Sequence, residues 1–166
     1  CLYCEAGYNA QGPGTTGLPH RAEVAQLLEK RLQELRAEDH KLDVITFSGN
    51  GEPTLNPDFA GIIDDTLRLR DRYYPEVKVS VLTNSTMLHR PEVVDALRRV
   101  DNAILKLDSA IDSTIRTLDR PTSPAFNAAR VIRQLSDFGP KAIIQTMITR
   151  GSHDGHSIDN STDAEI

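Results

Sequence analysis

Four short β-prone runs alternate with stretches of helical periodicity, and this alternation constrains the chain more than any other feature. The runs are Asp43 to Phe47, Val77 to Leu82, Ala103 to Leu107 and Ala142 to Ile148. Before the first, Val24, Leu27, Leu28, Leu32 and Leu35 form one apolar stripe at helical spacing. After it, Asn56 and Pro57 open a helix that continues through Phe59, Ile62, Ile63, Leu67 and Tyr74. Pro91 opens the next, with Val93, Val94 and Leu97 on one face. Ile111, Ile115 and Leu118 predict a short helix that stops at Arg120-Pro121. Ser123-Pro124 predicts another, carrying Ala128, Val131, Ile132, Leu135 and Phe138 and ending at Gly139-Pro140. Strands separated by helices cannot pair as hairpins and call for a parallel sheet with crossovers. The expected class is α/β, either an open doubly wound sheet or part of a barrel; periodicity does not separate them.

The chain has 166 residues and ordinary globular usage, 39% hydrophobic and 26% charged, enough for one domain with a real core. No apolar run approaches the ~18 residues that span a bilayer, so no membrane partner is expected. Residues 5–19 read as a loop, punctuated by Gly7, Gly12, Pro13, Gly14, Gly17 and Pro19. Residues 151–166 read as a polar loop with no tight hairpin signal, leading towards a helix capped by Thr162. The start at Cys1 and this ending read as a piece cut at both ends. The domain expected is therefore a truncated core over residues 1–150, followed by a loop. The net charge of −5, from 19 basic and 24 acidic residues, disfavours nonspecific binding to phosphate backbones or anionic membranes. It leaves room for a local basic pocket and an RNA substrate.

In parallel α/β folds, chemistry collects at the carboxyl ends of strands. All four runs end in polar or glycine-rich residues: Ser48 to Pro53, Thr83-Asn84-Ser85, Lys106 to Ser109, and Gln145-Thr146. Such residues also make ordinary turns, but four on one sheet edge predict a site. Lys106 and Asp108 lie two apart on a strand and share a face, with Leu105 and Leu107 on the other. An internal salt bridge or a grip on a polar ligand such as a ribose accounts for them equally. Cys1-Leu2-Tyr3-Cys4 is a Cys-x-x-Cys pair. That spacing serves redox dithiols, zinc sites and iron–sulfur clusters. Two cysteines are too few for a closed site.

Together these residues resemble the radical SAM enzymes. Cys1 to Cys4 is similar to the last two cysteines of that family's Cys-x3-Cys-x2-Cys motif, and Gly51-Glu52-Pro53 to its Gly-Gly-Glu-Pro segment, with Asn50 at the first glycine. Thr83-Asn84-Ser85 resembles its Thr-Asn-Gly-like strand end, with Ser85 where glycine is common. The stretches Asp43 to Leu55 and Ile104 to Ala110 look closest to uncharacterised bacterial members related to the wyosine-forming tRNA enzymes. The resemblance implies a partial (β/α)6 TIM-like barrel with its first strand and first cluster cysteine upstream. It implies a 4Fe–4S cluster held by Cys1 and Cys4, reductive cleavage of S-adenosylmethionine, and a 5′-deoxyadenosyl radical that abstracts hydrogen from an unknown substrate. A one-electron reductant such as flavodoxin or ferredoxin and a reducing cytoplasm go with it. Carried over residue by residue, Tyr3 lies near the adenine and Gly51, Glu52 and Pro53 near the methionine amino group. Asn84, Lys106 and Asp108 approach the ribose or carboxylate, and Gln145 the nucleoside. With two of three cysteines, the piece by itself is expected to be inactive.

Two other readings fit part of the pattern. A zinc or redox module needs only Cys1 and Cys4; a noncatalytic nucleotide-binding α/β domain needs only the strand ends. Metal analysis separates the first from the radical enzyme, and cofactor binding without cleavage the second. His153 and His156 read as a solvated pair rather than metal ligands. Arg68, Arg70 and Arg72 read as a solvated helix face, as do Arg98, Arg99 and Arg116, with no aromatic interleaving for nucleic acid.

Overall fold

A computed structural model describes residues 1–3, 17–48, 51–153 and 155–165. Four strands form one parallel sheet: β1 (Val44–Phe47), β2 (Lys78–Thr83), β3 (Asn102–Lys106) and β4 (Ala142–Gln145). Their spatial order is β1-β2-β3-β4, the order of the chain. A doubly wound sheet needs a reversal in that order; this sheet has none among the described strands. The sheet is open, with β1 and β4 as its edges.

The helices are α1 (Arg21–Ala37), α2 (Phe59–Tyr73), α3 (Pro91–Arg99), α4 (Asp112–Leu118) and α5 (Ala128–Asp137). Period-2 alternation turns Val79 and Val81 of β2, and Ala103 and Leu105 of β3, onto one face. That face packs into one core with Phe59 and Ile63 of α2, Val93, Ala96 and Leu97 of α3, and Val131 and Leu135 of α5. Leu105, Val79 and Val81 are fully buried. The opposite face is more polar and less covered. Ser80 and Asn102 lie opposite each other there, joined by Asn102 Nδ2 donating to Ser80 Oγ at 2.9 Å, and Lys106 follows on the same face.

Local chemistry moves two helix starts from their predicted places. Asn56 does not begin α2; its Oδ1 accepts from Asp58 N at 2.8 Å, and α2 begins at Phe59. The helix predicted from Ser123-Pro124 begins instead at Ala128. Asn127 caps it by accepting from Arg130 N at 3.0 Å, and Asp112 at the start of α4 accepts from Ala128 N at 2.7 Å. Arg70 is not a solvated residue: its side chain donates to Val77 O at 2.7 Å and pairs with Asp101 at 2.9 Å. It ties α2 to the entrances of β2 and β3.

The larger correction concerns residues 151–166. The polar run forms an antiparallel hairpin, β5 (Arg150–His153) and β6 (His156–Asp159). Asp154 lies outside the described residues; Gly155, just before β6, has φ +76°. Asp-Gly is a strong signal for a hairpin turn, so the sequence did carry the information. Ile158 packs against Leu2 and Leu118, and Leu2 N donates to Leu118 O at 2.7 Å. Residues 162–165 form a turn rather than a helix. No helix among the described residues is long and apolar enough to cross a membrane.

Leu105 lies at the centre of the sheet with no exposed surface. Leu105→Ala is expected to lower the unfolding free energy by about 2–5 kcal/mol, measured by urea denaturation.

Candidate functional site

The carboxyl ends of β1 to β4 open into one cleft of about 1090 Å³. Gly51, Glu52 and Pro53 after β1, and Asn84 after β2, line it. Lys106 and Asp108 line it from β3, Gln145 from the end of β4, and Cys1 and Tyr3 from the chain start. Every described residue singled out from sequence for cofactor or metal binding therefore meets in one cavity. Cys4 lies outside the described residues, as do residues 5–16 of the predicted loop and Gly49 and Asn50.

Asp108 is the centre of the polar network. Its side chain is fully buried. Oδ2 accepts from Tyr3 OH at 2.5 Å and pairs with Lys106 Nζ at 2.7 Å, while Oδ1 accepts from Met147 N at 2.9 Å. Lys106 Nζ also stands 4.5 Å from the centre of the Tyr3 ring, a cation–π distance. Of the two accounts offered for Lys106 and Asp108, the internal ion pair is formed. Lys106 keeps 18% of its side chain exposed, facing the cleft. It has three donors, and Asp108 uses one of them.

Glu52 joins the first two strand ends. Its Oε1 accepts from Thr54 N at 3.0 Å, Thr54 Oγ1 at 2.5 Å and Thr83 Oγ1 at 2.7 Å; Oε2 accepts from Asn84 N at 2.6 Å. An ionised carboxylate offers about four lone-pair positions. Three protein donors fill Oε1, so the remaining capacity is on Oε2. Gly51 has φ +124°, a conformation that favours glycine, and a Cβ there would meet nothing within 4 Å. Backbone conformation rather than crowding explains this glycine. Asn84 Oδ1 accepts from Thr86 N at 3.0 Å and Thr86 Oγ1 at 2.6 Å, which leaves its amide NH2 turned to donor work. Gln145 is exposed on the cleft wall, and its carbonyl accepts from Leu107 N at 3.0 Å.

One site residue escaped the sequence reading. Asp119 follows α4 and lines the same cleft, near Asp108. Burial pushes its carboxyl up to about 7, the Asp108 carboxylate adds to this, and Lys106 opposes it. Asp119 Oδ1 is buried without a hydrogen-bond partner among the described residues. In sequence, Leu118-Asp119-Arg120-Pro121 reads only as a helix end, and nothing local points at Asp108. His153 and His156 stand opposite each other beside the hairpin turn, both exposed. Among the described residues no three His, Cys, Asp or Glu side chains cluster so as to hold a metal.

Ser85 carries a visible cost. It adopts φ +63°, and its buried Oγ has no partner among the described residues. Ser85→Gly is expected to stabilise the protein by about 1 kcal/mol, because it relieves both the left-handed backbone and the orphaned hydroxyl; thermal unfolding checks this. Asp119 gives a pH prediction. A carboxyl with a raised folded pKa contributes stability that is present below about pH 4 and lost as pH rises towards 7. Asp119→Asn should flatten the fall in unfolding free energy between pH 5 and pH 8, by on the order of 2 kcal/mol, in urea titrations at the two pH values.

Comparison with known proteins agrees with this geometry. A UPF0026 protein from Helicobacter pylori (strain ATCC 700392 / 26695) is 24% identical over 156 residues, 93% of this chain and 48% of its own length. A UPF0026 protein from Synechocystis sp. is 30% identical over 123 residues, 73% of this chain and 42% of its own. A Brachyspira hyodysenteriae protein named GTPase Obg is 29% identical over 121 residues, 73% of this chain and 17% of its own. The chain thus spans about half or less of the curated relatives it matches. The sequence profile of the radical SAM superfamily matches residues 1–157, and the chain belongs to that superfamily.

Proposed function

We propose that this chain is the core of an enzyme that binds S-adenosylmethionine in the cleft at the strand ends and cleaves it reductively. The observation that carries this reading is convergence: Cys1, Tyr3, Glu52, Asn84, Lys106, Asp108 and Gln145 come from five chain segments and line one cavity. The donor set fits the cofactors. Cys1 would supply one thiolate at the cleft wall, and Cys4, at the matching motif position, the second. A 4Fe–4S cluster held there would supply the electron for reductive cleavage of S-adenosylmethionine to a 5′-deoxyadenosyl radical.

The residues of this chain do the positioning. The free capacity of Glu52 Oε2 suits the methionine ammonium, and Gly51 and Pro53 shape the backbone approach. Lys106, held by Asp108 and the Tyr3 ring, has donors left for a carboxylate or a ribose oxygen. The Tyr3 ring offers a face to the adenine, and the Asn84 and Gln145 amides stand ready for the ribose and nucleoside. Asp119, with an unsatisfied Oδ1, adds an acceptor to the same wall. The apolar walls, among them Phe47, Leu82 and Ile115, keep water from the reacting centre.

The sequential strand order and the one-sided helical core support a (β/α)6 partial barrel, of which β1 to β4 are the inner strands. The electron donor proposed is a flavodoxin or ferredoxin of a reducing cytoplasm. The substrate is open, and RNA belongs among the classes to test; the kinship with wyosine-forming enzymes rests on Asp43 to Leu55 and Ile104 to Ala110. The direct test uses the full-length protein, purified without oxygen, reconstituted with iron and sulfide and reduced with dithionite. On addition of S-adenosylmethionine, chromatography should detect 5′-deoxyadenosine, and Cys4→Ala should abolish it. A fully loaded cluster with no 5′-deoxyadenosine would contradict the reading.

A further inference from the structure

We infer that Asn160, on the segment following the β5–β6 hairpin, is a positioning residue that sets the Asp108 carboxylate at the cofactor cleft. The inference rests on the S-adenosylmethionine reading of the cleft. Asn160 lies beyond residue 157, where the match to the superfamily ends, so no family motif points to it.

Asn160 is polar yet only 3% exposed. A buried amide of this kind is costly unless its hydrogen bonds are made. Asn160 makes them at the ends of two strands. Its Nδ2 donates to Asp108 O at 2.8 Å and to Met147 O at 2.7 Å, and its Oδ1 accepts from Thr149 N at 2.6 Å. The backbone adds Asn160 N donating to Thr149 O at 3.2 Å.

These bonds close a ring around Asp108. The Met147 N–H is held by Asp108 Oδ1, and the Met147 carbonyl by Asn160 Nδ2, which also holds the Asp108 carbonyl. Backbone and side chain of Asp108 are thus fixed from the same residue, leaving Oδ2 for Tyr3 and Lys106. The ends of β3 and β4 are also joined by Leu107 N donating to Gln145 O at 3.0 Å and Thr146 Oγ1 donating to Leu107 O at 2.8 Å, and Asn160 adds a bridge from outside both strands. The segment has a second anchor at Glu165, which accepts from Ser109 Oγ at 2.5 Å and Thr114 Oγ1 at 2.6 Å. Asn160 alone reaches Asp108. A full set of bonds within the protein leaves Asn160 little left for ligand, so it acts through Asp108.

The test is equilibrium binding of S-adenosylmethionine to the full-length, cluster-loaded protein, with iron content and thermal midpoint recorded for each variant. Asn160→Asp keeps the size and the acceptor for Thr149 N but replaces both donors; Asn160→Ala removes all three bonds. Each should raise the Kd at least about tenfold, with iron content unchanged. Leu32→Ala, a buried change on α1 at a residue that does not line the cleft, serves as the control and should leave the Kd unchanged at a comparable loss of thermal midpoint. Asn160→Ala added to Asp108→Asn should cost no more than Asp108→Asn alone, because one residue works through the other.

Wild-type Kd retained in both Asn160 variants, or additive losses in the double variant, would overturn the inference while leaving the cleft reading intact. So would failure of both variants to fold, since positioning would then not be separable from folding. No binding by the loaded wild-type protein would instead overturn the cleft reading, and this inference with it.

Discussion

A buried carboxylate at the end of the third strand is the interaction on which the cleft depends. Asp108 has no exposed side-chain surface, and an ionised carboxylate in that setting must be paired and hydrogen-bonded. Lys106, Tyr3 and Met147 each meet that need, and each comes from a different part of the chain. Satisfying Asp108 therefore draws the chain start, β3 and the residues after β4 to one point. Glu52 does the corresponding work on the other side, drawing the loop after β1 to the end of β2. The two carboxylates act as fasteners between neighbouring strand ends, and the groups they leave free face the cavity.

The core explains why such an arrangement can stand. One face of β2 and β3 is buried completely against α2, α3 and α5, which fixes the strands as a rigid platform. The opposite face carries Ser80, Asn102 and Lys106 and leads into the cleft. The division follows directly from alternation along the strands. It places burial on one side and chemistry at the end, the usual division of labour in parallel α/β domains. The site then tolerates costs such as left-handed Ser85 and the buried carboxyl of Asp119, because the platform supplies the stability.

Much of this was legible in the sequence, and the exceptions are instructive. Lys106 and Asp108 were readable because side chains two apart on a strand share a face, a rule independent of tertiary context. The four strands and the crossovers were readable from the change of period between 2 and 3.6. The sequential strand order was not, because periodicity carries no information about which strands neighbour each other. Asp119 was hidden because its neighbour Asp108 is eleven positions earlier, across a helix. The Thr83 and Asn84 donors to Glu52 were hidden for the same reason, since they lie a whole helix away in sequence. The start of α5 depended on Asp112, a residue of the previous helix, so the local Ser123-Pro124 signal misled. The hairpin at Arg150 to Asp159 differs: the sequence carries an Asp-Gly pair between its strands, but short polar strands lack the apolar alternation that draws the eye.

In the function proposed here, the cluster and S-adenosylmethionine meet in this one cleft. The most direct measurement is an anaerobic crystal structure of the reconstituted full-length protein with S-adenosylmethionine, using iron anomalous scattering. The account predicts iron bonded to the sulfurs of Cys1 and Cys4, and S-adenosylmethionine density running from Glu52 to Lys106. Iron elsewhere, or S-adenosylmethionine density outside the cleft, would contradict it.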